Sequence, residues 1–277
     1  SSAADRASEC ADCAAGEYQS SSSATACEPC DAGGWCAEGA SSVALCGAGT
    51  YRGTTGGASS ADCAACGTGH SCADGAAERT ACEPGSVSSD GVTCVGCDAG
   101  EFQASPAQSA CEDCPAGSYC LARSSGAIEC APGQFSSADG ASGCEACIAG
   151  EFQSSSSATA CEPCDAGGWC GAGASSVALC GAGSYRAGTG ASDVNQCLAC
   201  EPGHFCVIGS TGMTACSTGT HAGVGSVLCA SCEEGEYQDQ EQQPSCKPCE
   251  PGFVCPPGSS AMIPLSCAPG TWGNISA

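Results

Sequence analysis

Thirty-two of the 277 residues are cysteine, and any chemistry in this chain must begin with them. At such density cysteine can hold zinc as thiolate, shuttle electrons through Cys-x-x-Cys pairs, or close disulfides. The first four, Cys10, Cys13, Cys27 and Cys30, have the C-x2-C…C-x2-C form of a zinc ribbon. Cys36 and Cys46 follow and break any grouping by fours. The three histidines, His70, His204 and His221, do not stand at the spacing of a two-Cys, two-His finger. Redox catalysis would need a thioredoxin-like βαβ setting, and the chain lacks the long apolar periodicity of a helix. Structural disulfides account for more of the pattern than either alternative, so no metal and no cofactor is expected.

The cysteines are placed by a repeat. Sixteen of them have Gly three residues later, the first at Cys13-Gly16 and the last at Cys267-Gly270. Two residues after that Gly comes Tyr, Trp or Phe in twelve copies. Ser71, Val87, His221 and Val254 fill the slot in the other four, with Phe253 one place early in the last. The Gly fits a tight turn of positive φ, and the ring starts a short extended piece expected to pack on a nearby disulfide. Long units such as Cys13 to Cys27 alternate with short ones of five intervening residues, such as "CDAGGWC" and "CPAGSYC".

If each opening cysteine pairs with the next closing one, the bridges are Cys13–Cys27, Cys30–Cys36, Cys46–Cys63, Cys66–Cys72, Cys82–Cys94, Cys97–Cys111, Cys114–Cys120 and Cys130–Cys144. The second half gives Cys147–Cys161, Cys164–Cys170, Cys180–Cys197, Cys200–Cys206, Cys216–Cys229, Cys232–Cys246 and Cys249–Cys255. Connectivity does not follow from sequence alone, and in the short units Cys30–Cys46 with Cys36–Cys63 is an alternative. Cys10 and Cys267 are left over, as expected of a window cut from a longer repeat.

A larger period lies above this one. "GEYQSSSSATACEPCDAGGWC" at 16–36 returns at 150–170 with only Tyr18 changed, to Phe152. Cys10 through Cys82 recur at an offset of 134, which drifts to 137 by Cys267. Two super-repeats, 1–143 and 144–277, are the domain organisation this predicts. Ser20–Ser23 and Ser154–Ser157 read as flexible loops, with O-linked sugar as the sharper alternative.

The rest of the composition fits a chain without a conventional core. Aromatics are 5%, and Ala and Cys supply most of the hydrophobic fraction, so little apolar area can be buried. Cross-links must then offset chain entropy, at about 3 kcal/mol for a loop of about 15 residues. The expected fold is small and disulfide-rich: an elongated rod of tandem cysteine-rich repeats. It should have short β-ribbons and loops, little or no helix, and each repeat touching only its neighbours. A net charge of −24 repels phosphate backbones and excludes nucleic acid as a partner. No run has the length of a membrane span. No nucleophile–base set, phosphate loop or calcium loop is present, so no enzyme is expected. Tyr51-Arg52 and Tyr185-Arg186 recur, as ring stacking or as solvated arginines. Oxidised cysteines place the chain outside the cell or at its surface, in agreement with a glycosylation sequon at Asn274.

The segment 114–152, "CPAGSYCLARSSGAIECAPGQFSSADGASGCEACIAGEF", resembles the ephrin-receptor-like cysteine-rich repeats. The long units are also similar to the first subdomain of tumour-necrosis-factor-receptor modules, where Gly-x-Tyr follows the opening Cys. This resemblance implies an extracellular disulfide-laddered rod. Such arrays occur in receptor ectodomains and in protist and algal surface proteins, including flagellar hairs (mastigonemes). It implies a structural protein whose partners are copies of itself, other extracellular structural proteins and glycans. The alternative is the ectodomain stalk of a receptor or adhesin that binds a protein ligand.

Overall fold

The computed structural model describes residues 10–266 and residue 270. Asn274 and Cys267 lie outside the described residues. The chain divides into two compact units, Ser1–Glu129 with Ala138–Cys144, and Cys130–Ser137 with Glu145–Ala277.

Among the described residues thirty strands of two residues each pair into fifteen two-stranded antiparallel sheets. Among the described residues there is no α-helix, only two 3-10 turns, Ser60–Asp62 and Val194–Gln196. Each sheet follows from the repeat. The first strand is the residue after the repeat Gly plus the slot residue; the second is the two residues before the next opening Cys. Thus Glu17–Tyr18 pairs with Glu28–Pro29, and Gly34–Trp35 with Ala44–Leu45. A strand of two residues is too short to be stable alone. Positive φ at Gly16, and at its counterpart in every described unit, turns the chain sharply just before the strand and fixes where it starts.

Disulfides close both kinds of loop. The long loops carry Cys13–Cys27, Cys46–Cys63, Cys82–Cys94 and Cys97–Cys111, then Cys147–Cys161, Cys180–Cys197, Cys216–Cys229 and Cys232–Cys246. The short loops carry Cys30–Cys36, Cys66–Cys72, Cys114–Cys120, Cys164–Cys170, Cys200–Cys206 and Cys249–Cys255. Their Cα atoms lie 5.5–6.1 Å apart, within the span a bridge needs. Cys130 and Cys144 are also disulfide-bonded, and Cys10 is free and exposed.

The interior is made of sulfur. Apart from Ala191 and Ala222, every buried apolar residue is cysteine. No described ring is fully buried; Tyr18, Trp35, Phe102 and Trp169 are each half-buried. Covalent links thus occupy the place that packed Leu and Phe take in ordinary domains. Among the described residues no helix is long and apolar enough to cross a membrane.

Candidate functional site: the ladder between repeats

The feature that recurs along both units is a set of main-chain hydrogen bonds from one repeat to the next. The repeat Gly N–H donates to the carbonyl one residue past the slot of the following repeat. Gly16 donates to Cys36, Gly85 to Gln103, Gly150 to Cys170 and Gly219 to Gln238, at 2.7–2.9 Å. The same Gly carbonyl accepts from the next opening cysteine, as Gly100 does from Cys114 and Gly219 from Cys232. The opening cysteine's carbonyl accepts from a left-handed residue in the next repeat. Gly39 donates to Cys13, Gly140 to Cys114 and Gly258 to Cys232, at 2.8–2.9 Å. Three main-chain bonds at fixed positions thus recur along the repeats; at Gly91 the third is replaced by a bond from its N–H to the Ser88 hydroxyl, at 3.1 Å.

That left-handed position explains the backbone outliers. Among the described residues the non-glycines of positive φ are Ala107, Arg123, Ser157 and Gln242, and all four stand in it. Their N–H groups bond Cys82, Cys97, Cys130 and Cys216. The bond to the preceding repeat holds a conformation that such residues otherwise avoid at about 1–2 kcal/mol.

Repeats also reach past their neighbours, contrary to the expectation of nearest-neighbour contact alone. A Cβ placed on Gly100 would lie 2.3 Å from the Gly140 carbonyl oxygen, and one on Gly183 would lie 2.2 Å from that of Gly225. In both pairs the second residue belongs to the next repeat but one. The repeat Gly is thus required twice, by its φ and by this close approach.

The residue after the slot is the other working position. In short units it is the closing cysteine itself, as in Trp35-Cys36. In the GEYQ and GEFQ units it is glutamine, which clamps its own loop. Gln103 Nε2 donates to the Ala110 carbonyl at 2.9 Å, and its Oε1 accepts from Ser105 N–H at 3.1 Å. Gln19, Gln153 and Gln238 make the same two bonds, to Ala26 and Ser21, Ala160 and Ser155, and Ser245 and Gln240. The serine loops Ser20–Ser23 and Ser154–Ser157 are therefore tethered at both ends, not free. The reason is a buried or half-buried amide that donates through Nε2 and accepts through Oε1 within its own loop. The recurrence of GE(Y/F)Q was the available signal for it.

Arginine takes this position at Arg52 and Arg186. Arg52 is folded over its own loop: Nε donates to Thr54 at 3.0 Å and a terminal nitrogen to Thr55 at 3.2 Å. Its guanidinium also stands 3.9 Å from Asp62, and its side chain is only 14% exposed. Arg186 donates to Gly188 at 3.2 Å. Neither ring stacking nor free solvation describes Arg52; the loop carbonyls are its partners. The cation–ring contact is Lys247 over Tyr237, at 5.8 Å.

Three carboxyl groups titrate below their ordinary range. Asp62 is held down by N–H bonds from Ala58 and Ser59, with Arg52 adding a smaller push. Asp90 is held down chiefly by the Val92 N–H. Asp239 is held down by Lys247, whose own ammonium is raised by the same bond. All three cap or cross the loops of long units.

The histidines do not converge. His70 and His204 place Nδ1 on the Thr68 and Pro202 carbonyls, at 3.1 and 3.2 Å. His221 sets Nδ1 at 3.2 Å from Cys246 Sγ. A shallow groove in the second unit is lined by Glu234, Pro248, Glu250, Phe253 and Pro256; it holds carboxylates but no hydroxyl or imidazole.

The comparison with known families agrees with this architecture. Residues 219–261 match the family model described as tyrosine-protein kinase ephrin type A/B receptor-like. That span covers the repeat Gly219, the Cys232–Cys246 and Cys249–Cys255 bridges, and the ladder bonds joining them. No curated protein matches the chain. The repeating bridges make the chain a cysteine-rich repeat protein, and residues 219–261 of it are similar to the ephrin-receptor-like module.

Proposed function

We propose that this chain is a repeating segment of an extracellular structural protein: a filament, flagellar hair or surface coat. It is organised as super-repeats 1–143 and 144–277, and it packs against copies of itself or against other structural chains and their glycans. The observation that carries this reading is the ladder. The same main-chain bonds recur along the repeats from Gly16 to Gly258 with little regard to side chain, the exception being Gly91, whose N–H donates to the Ser88 hydroxyl, so successive steps present nearly the same backbone geometry. Identical patches at a fixed interval are what regular lateral or end-to-end assembly uses. The described groups offer loop clamps and caps in place of a nucleophile–base set, and we assign no enzymatic activity.

An antibody raised to the stretch shared by 16–36 and 150–170 tests this on native material by immunogold microscopy. Labels at a regular interval along an extracellular fibre or coat are the expected result. The match at 219–261 favours a second reading, the stalk of a surface receptor or adhesin. Label confined to the plasma membrane, together with a membrane span in the same polypeptide, would replace the first reading by that one.

A further inference from the structure

The slot that holds a ring in most repeats holds histidine once, at His221, and there it meets a disulfide. Its Nδ1 lies 3.2 Å from Cys246 Sγ. The donor atoms of His221, Cys232 and Cys246 all lie within 4.8 Å of one another. In the oxidised chain Cys232 and Cys246 are bonded to each other, so neither is a thiolate and the set binds nothing.

We propose that the Cys232–Cys246 bridge is a latent metal site. Once a dithiol reductant opens it, His221, Cys232 and Cys246 bind one soft or borderline divalent or cuprous cation, zinc being the prime case. The opening step balances as two electrons and two protons passing from the dithiol, which closes to its own disulfide, to the two sulfurs. Binding then displaces the thiol protons. One nitrogen and two sulfurs, with water in the fourth place, is an ordinary zinc donor set.

Three features support this beyond the cluster itself. First, the hairpin is held by hydrogen bonds as well as by its bridge. Cys232 is held through its N–H to Gly219 and its carbonyl to Gly258, and Glu236–Tyr237 pairs with Lys247–Pro248. Gln238, 1% exposed, clamps Ser245 beside Cys246, and Lys247 pairs with Asp239 across the loop. The opened sulfurs therefore stay close. Second, the geometry needs little change. Metal–ligand distances of about 2.0–2.3 Å put neighbouring tetrahedral ligands about 3.5–3.8 Å apart. The nitrogen already stands near that separation from one sulfur, and the sulfurs need to part by a torsion of each side chain. Third, Glu233, Glu234 and Glu236 follow Cys232 and make the surroundings favourable to a cation. Cys246 and His221 are half-buried, so both reductant and ion have access, whereas Cys232 is buried.

The molecule contains its own control. At the offset of 134 the counterpart of His221 is Val87, and the counterpart of the Cys232–Cys246 bridge is Cys97–Cys111. The test uses the whole chain, reduced without oxygen at graded dithiothreitol, with opened bridges counted by alkylation and peptide mapping. After the reductant is removed, cobalt(II) serves as the probe, read through thiolate-to-cobalt absorption and zinc competition. One equivalent of tetrahedral cobalt should bind when Cys232–Cys246 is open and the other bridges are intact. His221→Phe and His221→Tyr, residues native to the slot elsewhere, should each weaken binding by more than the ~10–100-fold seen for indirect partners of a ligand. Val87→His should create a second site at Cys97 and Cys111. Equal cobalt affinity in the His221 variants would overturn the proposal. So would a Cys232–Cys246 bridge that opens only when the whole array opens.

Discussion

The two halves of the chain keep one backbone and wear different side chains. Position for position, at the offset of 134, the first half has Ser60, Ala64, Ala73, Asp74 and Asp90 where the second has Val194, Leu198, Val207, Ile208 and Val224. All five aliphatics are exposed, Val224 at 71%. In the first unit two of these positions do hydrogen-bonding work. Asp74 accepts from the Ala48 N–H at 2.7 Å, and Asp90 from the Val92 N–H at 2.8 Å. Their aliphatic counterparts can accept nothing, yet the strands are the same in both units, and the Gly ladder differs only beside Asp90, where the Gly91 N–H donates to the Ser88 hydroxyl and its counterpart Gly225 donates to the Cys200 carbonyl. The repeat geometry therefore resides in main-chain bonds and disulfides, and the side-chain caps are local additions. The contrast also leaves the second unit with the greasier surface, which bears on association more than on fold.

If the backbone ladder is what the halves share, breaking it should cost the most and cost the same in both. Gly85→Ala and Gly219→Ala each force a side chain into positive φ, 81° and 79°, and 2.3 Å from a carbonyl oxygen, that of Arg123 or Gly258. About 1–2 kcal/mol for the conformation and about 1–3 for the overlap should appear as local opening. Amide exchange of the two variants should speed up by similar factors; a large difference would break the comparison. Gly100→Ala against Gly235→Ala sharpens it. A Cβ on Gly100 would meet the Gly140 oxygen at 2.3 Å, whereas one on Gly235 meets no described atom within 4 Å. The second change should carry only the conformational cost.

The glutamine clamp comes next in size. Gln103→Ala and Gln238→Ala each remove two bonds from a buried amide, 6% and 1% exposed. Each should lose about 1–3 kcal/mol of loop stability. Faster proteolysis within 104–110 and 239–245 is the readout, with no change in the ladder amides beyond. Spread of the exchange into the flanking hairpins would mean that clamp and ladder are not separable.

Much of this was legible beforehand because cysteine and glycine have few alternatives. A Gly placed three residues after each opening Cys announced a turn, and the short segments between punctuating residues announced two-strand ribbons rather than helices. The shared stretch at 16–36 and 150–170 announced a larger period, and the glutamine within it drew no reading of its own. What it did was hidden, because Gln103 and Gln238 act on residues seven positions away, across a loop whose closed shape only the fold supplies. Second-neighbour approaches such as Gly100 to Gly140 were hidden for the same reason. Arg52 was read through the ring beside it in sequence, whereas its partners are carbonyls of the loop that follows.

Acid should separate the halves. Asp62 accepts from the Ala58 and Ser59 N–H groups, and its counterpart Gln196 accepts from Ser192 through an amide oxygen at 2.8 Å. The Asp62 carboxyl is lowered below the usual value in the folded chain, so its contribution is present above the unfolded value of about 3.9. It is lost as pH falls through the lower, folded value. Amide exchange at Ala58 and Ser59, corrected for intrinsic rates, should therefore rise in that acidic window. Ser192, capped by a group that does not titrate, should show no such rise, and Asp62→Gln should remove the pH dependence. Equal acid sensitivity of both loops would place the cause elsewhere.

The smallest effect is the most direct exchange between halves. Ile208→Asp puts into the second unit the carboxylate that Asp74 supplies in the first, within the same repeat position. Asp74 reaches the N–H of Ala48, whose counterpart is Ala182. The new carboxylate should take that N–H and add a few tenths to about 1 kcal/mol at an exposed site. It also removes an aliphatic side chain that is 65% exposed. Two readouts then move in opposite directions if caps and surface are independent of the ladder: protection of the Ala182 amide rises, and concentration-dependent association of the chain falls. The reverse change, Asp74→Ile, should lower protection at Ala48 without disturbing the bond from Gly75 to Cys46 that lies beside it. Loss of that bond would show that the cap supports the ladder, and the two halves would then be held by different means.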